Sequence, residues 1–357
     1  MITKSQILRS SFFFCIGMTL AASYFYRGYT ANLKPKMAQQ AQNVEIVECS
    51  NGSRVFVVND GILVGRDGDV ISSGFELIAQ TSLHSDLHIK PLEDLNSHHL
   101  IRHPKPLFPR PVKGTVASIA SGASSCYFHW MFDILSKLDT LEKSSLSYDK
   151  LYVGEIKYPF QKETLEALGI AENKLIAGGY WTQISASTLI VPELPTQHLQ
   201  IPDFAISFLK NKLLPTTGPQ TPKHLFISRK KAPSRHIENE DELIKSISKW
   251  NIEPIFMEDH TVKEQAWIAF QADIIICAHG SGLVNILFCK PGTHVLELFP
   301  SNISHPSYYK NIAQKIGLRY HSLDCQVNEK GDMVLPTEII NSCYALTNDA
   351  RSFWSSK

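Results

Sequence analysis

Three groups of residues carry the chemistry that this sequence could do. The first is Ala278-His279-Gly280-Ser281-Gly282-Leu283, set where an apolar strand-like run (ADIIICA) passes into a helix-like one (GLVNILF). Backbone N–H groups at such a junction point at whatever lies beyond the strand end, and the helix start favours negative charge there. Gly280 and Gly282 remove side chains that would block a diphosphate. A dinucleotide fingerprint would need a third glycine where Asn285 stands, and a nucleophile elbow would need glycine in place of His279. An anion cradle and a tight turn around a buried histidine are the two readings left. The second group is Ser228-Arg229-Lys230-Lys231 with Arg235 and His236, just after the strand-like HLFI. Arginine at a strand's carboxyl end can clamp phosphate oxygens through paired N–H bonds; a solvated basic loop is the alternative. The third is His129 with Asp133, one helical turn apart. The carboxylate can fix the imidazole tautomer so that the other ring nitrogen accepts a proton, or the pair can simply close the edge of a core.

These residues need rigid elements to hold them. In YFHWMFDILSKLDTL, apolar residues at Tyr127, Trp130, Met131, Ile134, Leu135, Leu138 and Leu141 predict an amphipathic helix carrying His129 and Asp133. Strand (KLYVGEI), helix (QKETLEALG) and strand (STLIVP) follow. Beyond a Pro-rich linker candidate, Leu213 to Pro222, the alternation continues through HLFISR, a helix started by Asn239 with Glu242, EPIFM, and a helix boxed by Thr261 and Glu264. It ends with ADIIICA and HVLELF. Strands alternating with helices predict parallel sheets, which bind ligands at strand ends. From Val44 to Ser73 the chain reads instead as short strands with tight turns at Asn51-Gly52 and in DGDV. There Asp67-Gly68-Asp69 is similar to an Asp-x-Asp metal motif but reads better as a turn. His- and Pro-rich residues 85–111 read as an irregular connection.

Composition excludes several classes. The 357 residues are 43% apolar and 19% charged, and 35 Lys+Arg against 34 Asp+Glu leave a net charge of +1. The chain can bury a large core, and no global field draws it to nucleic acid. The seven cysteines are scattered without a CxxC, which predicts buried free thiols in place of disulfides or a zinc site. Residues 10–26 carry no charge between Arg9 and Arg27 and would make a helix of about 25 Å. They predict membrane association through a single N-terminal segment, with a signal peptide or a peripheral helix as rivals.

Taken together, YFHWMFDILSKL (127–138), FISRKKAPSRHIENEDEL (226–243), VKEQ (262–265), ADIIICAHGSGLVNILFCKPGTHVLEL (272–298) and the tyrosines near Tyr308 resemble glycosyltransferase family 61. The resemblance covers roughly residues 112–320; one departure is Ser281, where the family often has alanine. It implies an α/β chain of GT-B type: two Rossmann-like doubly wound domains facing across a cleft, with a strand-rich N-terminal addition. The expected layout is a hydrophobic segment and stalk (1–40), an acceptor-side α/β domain (41–215), a nucleotide-sugar-binding domain (216–325) and a tail (326–357). The implied activity is inverting transfer of a sugar, from a UDP-sugar co-substrate to a glycan acceptor, with no essential metal or other cofactor. The resemblance implies that Arg229 and Gly280–Gly282 hold the diphosphate, with Ser228, Arg235 and Ser281 beside it and His279 and Asn285 lining it. Glu297 would reach the nucleoside or cap the sheet. His129, with Asp133, is the candidate base. The catalytic domains would be cytoplasmic in a bacterium or in the Golgi or ER lumen of a eukaryote, with the reduced thiols favouring the former. A non-catalytic sugar-nucleotide-binding protein and a serine esterase using Ser281 and His279 are the alternatives.

Overall fold

Period-two alternation over VEIVE and RVFVVNDGILV, joined by a turn whose Gly52 has φ +79°, makes an antiparallel hairpin of β2 (Val44–Glu48) and β3 (Arg54–Val64). The computed structural model describes residues 33–82, 98–103, 105–196, 200–303 and 307–335. Contacts group the chain into two compact units: residues 1–122, 140–155 and 174–194 form the first, and residues 123–139, 156–173 and 195–357 the second.

The first unit is built on a nine-stranded mixed sheet in the order β1-β5-β4-β3-β9-β6-β7-β8, with β2 pairing β3. Its remaining strands are β1 (Lys34–Lys36), β4 (Asp69–Ile71), β5 (Glu76–Ile78), β6 (Arg110–Ser118), β7 (Lys150–Gly154), β8 (Leu175–Ala177) and β9 (Gln183–Pro192). RVFVVN and ILVG are one strand, not two, because Asp60 at φ 54° and Gly61 carry the chain on while pairing with β9 continues on both sides. The DGDV turn is present at residues 65–68, after which Asp69 opens β4. Phe56, Val58, Leu63, Val116, Tyr152 and Leu189 fill the core of this unit.

The second unit holds a six-stranded sheet in the order β11-β10-β12-β13-β14-β15. These strands are β10 (His224–Ile227), β11 (Ile252–Ile255), β12 (Ile274–Ala278), β13 (His294–Pro300), β14 (Arg319–Val327) and β15 (Met333–Val334). Every pairing is parallel except β14 with β15. The first strand therefore lies between the second and the third, which is the doubly wound arrangement with its switch point between β10 and β12. The Thr261–Glu264 capping box forms as expected at the start of helix Val262–Gln271. Asn239 does not cap by its side chain; instead that side chain exchanges hydrogen bonds with the backbone of Leu335 (2.7 and 3.1 Å), tying the helix start to the chain after β15. Two helices that the periodicity missed are Asp203–Leu213 and Tyr308–Lys315.

Among the described residues no helix is long and apolar enough to cross a membrane. The expected anchor at residues 10–26 lies outside the described residues, and the membrane-associated localisation built on it is withdrawn, since no spanning helix supports it. The tail beyond residue 335 also lies outside them. Cys277 and Cys289 are buried free thiols, as composition predicted, Cys126 is a part-buried one, and Cys49 and Cys325 are buried as well. Burial pushes the thiols of Cys277 and Cys289 up to about 12.

Candidate active site at the switch point of the second unit

Ser228 and Arg229 leave the carboxyl end of β10, and His279 and Gly280 leave the carboxyl end of its neighbour β12. The switch point thus joins the two sequence groups that were candidates for anion binding. Arg229 is 7% exposed and donates from Nη2 to the Ser234 carbonyl at 3.0 Å. Its Nε is buried with no hydrogen-bond partner among the described residues. The guanidinium lies where a side chain on residue 280 would begin: a Cβ there would sit 2.7 Å from Arg229 Cζ. Gly280 also has φ +156°, so conformation and space both demand glycine. Arg235, at φ 59°, is near enough for the Arg229 charge to act on it. Its pKa is lowered first by burial and then by that like charge. A buried guanidinium beside a half-buried one makes a strongly positive corner, and an anion would relieve it.

His129 Nδ1 lies 2.7 Å from Asp133 Oδ2. The Asp133 side chain is buried, and its other oxygen accepts a hydrogen bond from the Thr196 hydroxyl. With Nδ1–H donated to the carboxylate, the second ring nitrogen carries a lone pair, and the ring is part-exposed. One turn further, Lys137 is buried and its pKa falls to about 8, desolvation outweighing the pull of Asp133. The segment is not the one-faced helix that periodicity predicts. After Tyr127–His129 the turn widens to a π-helix over Trp130–Leu135, every residue of which is buried. Trp130 donates to Thr164 Oγ1 at 2.8 Å, which locks the widened turn in place.

This helix abuts the Gly280 turn within the same unit. Cys126 Sγ is 3.4 Å from Ser281 Oγ, and Tyr127 donates to Asn285 Oδ1 at 3.4 Å. Phe128 packs on Tyr308 and Tyr309 with centroids 4.9 and 5.9 Å away, and Tyr309 donates to the Gly280 carbonyl at 2.8 Å. Burial and Glu297 raise the Tyr309 pKa well above the phenol range, so it stays a donor.

The other sequence candidates face inward. Ser228 donates to Glu240 Oε1 at 2.5 Å. Asn285, fully buried, donates to Gln265 Oε1 at 3.0 Å and to the Gly282 carbonyl at 3.3 Å. A Cβ on Gly282 would meet Ile227 Cγ2 at 3.3 Å, so this glycine clears sheet packing. Glu297 accepts from the Tyr320 hydroxyl and pairs with His279 Nδ1, which fixes the His279 ring. No hydrogen bond among the described residues joins Ser281 to His279, so they are not assembled as nucleophile and base. Thr196, Gln265, Tyr309 and Tyr320 are site residues that spacing did not reveal. Gln265 and the tyrosine pair near residue 308 stood only inside the wider resemblance.

A doubly wound sheet, parallel up to β14, carries a cationic corner and a glycine turn at its switch point, which is a Rossmann-like α/β arrangement. Residues 127–296, a little under half of the chain, match the model of the family described as Glycosyltransferase 61. The chain is 28% identical over 135 residues to the EGF domain-specific O-linked N-acetylglucosamine transferase of Drosophila melanogaster, covering 37% of this chain and 25% of that one. It is 30% identical over 117 residues to the human Protein O-linked-mannose beta-1,4-N-acetylglucosaminyltransferase 2, covering 31% and 20%. It is 29% identical over 125 residues to the Beta-1,2-xylosyltransferase RCN11 of Oryza sativa subsp. japonica, covering 33% and 22%. The chain thus spans a quarter or less of each of these three relatives. All three are eukaryotic glycan enzymes, and they lend nothing to the bacterial lean drawn from the thiols.

Proposed function

We propose that the protein is an inverting glycosyltransferase that moves a sugar from a UDP-sugar to a glycan acceptor, on a GT-B scaffold whose donor side lies in residues 216–325. The observation that carries this reading is the seating of the Arg229 guanidinium against Gly280 at the β10/β12 switch point. The family and the named activities of the relatives support the reaction class.

In this mechanism the diphosphate lies on Arg229, Arg235 and the amides after Gly280. Their charge is in place before reaction, so it stabilises the negative charge that grows on the leaving diphosphate. His129, its Nδ1–H held by Asp133, takes the acceptor hydroxyl proton on its free nitrogen. The acceptor oxygen bonds to the anomeric carbon from one face while the bond to the diphosphate oxygen breaks on the other, which inverts the centre. No step is assigned to a metal.

Thermal shift with UDP, followed by a panel of nucleotide sugars scored for UDP release, tests the reading. UDP should stabilise the wild-type chain, Arg229→Ala should lose most of that gain, and one donor should be turned over. Indifference of the wild type to UDP would overturn it.

A further inference from the structure

A second cluster of chemically capable side chains lies in the first unit, which holds none of the candidate transferase residues. We propose that Asp69, His98 and His99 form a binding site for a divalent transition metal, zinc by preference, that ties the β3–β4 hairpin to the chain entering helix His99–Arg102. Asp69 opens β4 directly after the turn at residues 65–68 and is fully buried; His98 is 2% exposed. His98 Nε2 lies 3.2 Å from Asp69 Oδ1, and His99 Nε2 lies 3.3 Å from Asp69 Oδ2. One ligand atom from each of the three residues falls within 4.8 Å of the others. Tetrahedral zinc, with bonds of about 2.0–2.1 Å, sets its ligand atoms about 3.3 Å apart. Two imidazoles and one carboxylate favour zinc and its transition-metal neighbours over calcium or magnesium, which take oxygen ligands. Three protein ligands leave a fourth position for water.

The competing state is protonic. His98 Nδ1 accepts from the Leu100 N–H at 3.3 Å, so without metal the ring proton sits on Nε2, 3.2 Å from Asp69 Oδ1. Metal binding takes Nε2, the proton moves to Nδ1 or to solvent, and the long Leu100 bond gives way. The loss is one weak hydrogen bond. Against it, a dication neutralises a carboxylate that is expensive to hide. The Asp67-Gly68-Asp69 motif is therefore a turn in shape, and its last residue is the metal ligand.

The test uses the full chain, stripped with EDTA and exchanged into metal-free buffer. Zinc chloride titrated calorimetrically should show one bound ion per chain. Cobalt should give the visible bands of a low-coordinate nitrogen and oxygen site without thiolate charge transfer. His99→Ala, on a ring 32% exposed, should weaken zinc about tenfold or more while its metal-free melting temperature stays near wild type. Asp69→Asn should do the same where it folds. Absence of stoichiometric zinc binding, thiolate bands with cobalt, or unchanged affinity in His99→Ala would each overturn the proposal and leave an Asp–His ion-pair cluster.

Discussion

The two sheets of this chain treat their strand ends in opposite ways. In the first unit, the β2–β3 and β3–β4 connections are tight turns, at Asn51-Gly52 and at residues 65–68. A hairpin closes its own strand ends, so the charged residue it carries there, Asp69, is packed inside and answered by histidines. In the second unit, parallel pairing of β10, β12 and β13 requires every strand to leave the sheet by a longer crossover. The carboxyl ends of β10 and β12 diverge at the switch point, and the residues that follow, Arg229 and Gly280, meet there. Topology, more than residue type, decides whether a polar side chain is packed beside its own hairpin or brought to a strand-end corner by a crossover.

The largest effect that can break this contrast is kinetic. His129→Ala should lower turnover about 100-fold to 10,000-fold while UDP affinity stays within about twofold, read by single-donor assays and calorimetry. Asp133→Asn should follow it by removing the tautomer lock. Unchanged turnover in His129→Ala would remove it as the base.

Next comes a matched pair of glycines. Gly280→Ala places a methyl on the Arg229 guanidinium and should cost on the order of 3 kcal/mol in denaturant unfolding, with loss of UDP binding. Gly52→Ala meets nothing within 4 Å and strains only φ +79°, so it should cost about 1 kcal/mol with UDP binding intact. Equal costs would erase the distinction between a turn that only reverses the chain and a turn that holds a neighbour.

A finer effect separates structural from electrostatic roles beside Asp133. The Lys137 pKa lies at about 8 in the fold against an ordinary 10.5. Between those values the unfolded chain binds the extra proton, so this lysine makes stability rise with pH through the window. Below it the fold bears the full cost of a buried charge, on the order of 3 kcal/mol. Lys137→Met should therefore be most stabilising, relative to wild type, near pH 7, and its advantage should shrink as pH rises past 8. A pH-independent difference would show that burial does not set this pKa.

Much of the second unit could be read in the sequence. β10, β12 and β13 are continuous apolar runs, and the Thr261 box announces its helix. Arg229, Gly280 and the His129–Asp133 pair were visible because side-chain type and short spacing carried their signal. What stayed hidden depends on contacts across long separations. Thr196 reaches Asp133 from 63 residues away, and Tyr309 reaches Gly280 from 29. The widened turn at Trp130–Leu135 escapes a periodicity test because a π turn shifts the apolar phase within a segment buried on every side. Ser228, Asn285 and Glu297 had the right chemistry for a donor site, yet their side chains are engaged by Glu240, Gln265, His279 and Tyr320. Asp69 read as a turn residue because its histidine partners lie beyond a stretch with no period.

A crystal of the chain grown with UDP is the most direct test of the nucleotide site. The account predicts diphosphate oxygens within hydrogen-bonding distance of the Arg229 guanidinium and of the amides that follow Gly280, at the carboxyl ends of β10 and β12. Nucleotide bound elsewhere, with Arg229 still folded onto an empty Gly280 turn, would contradict it.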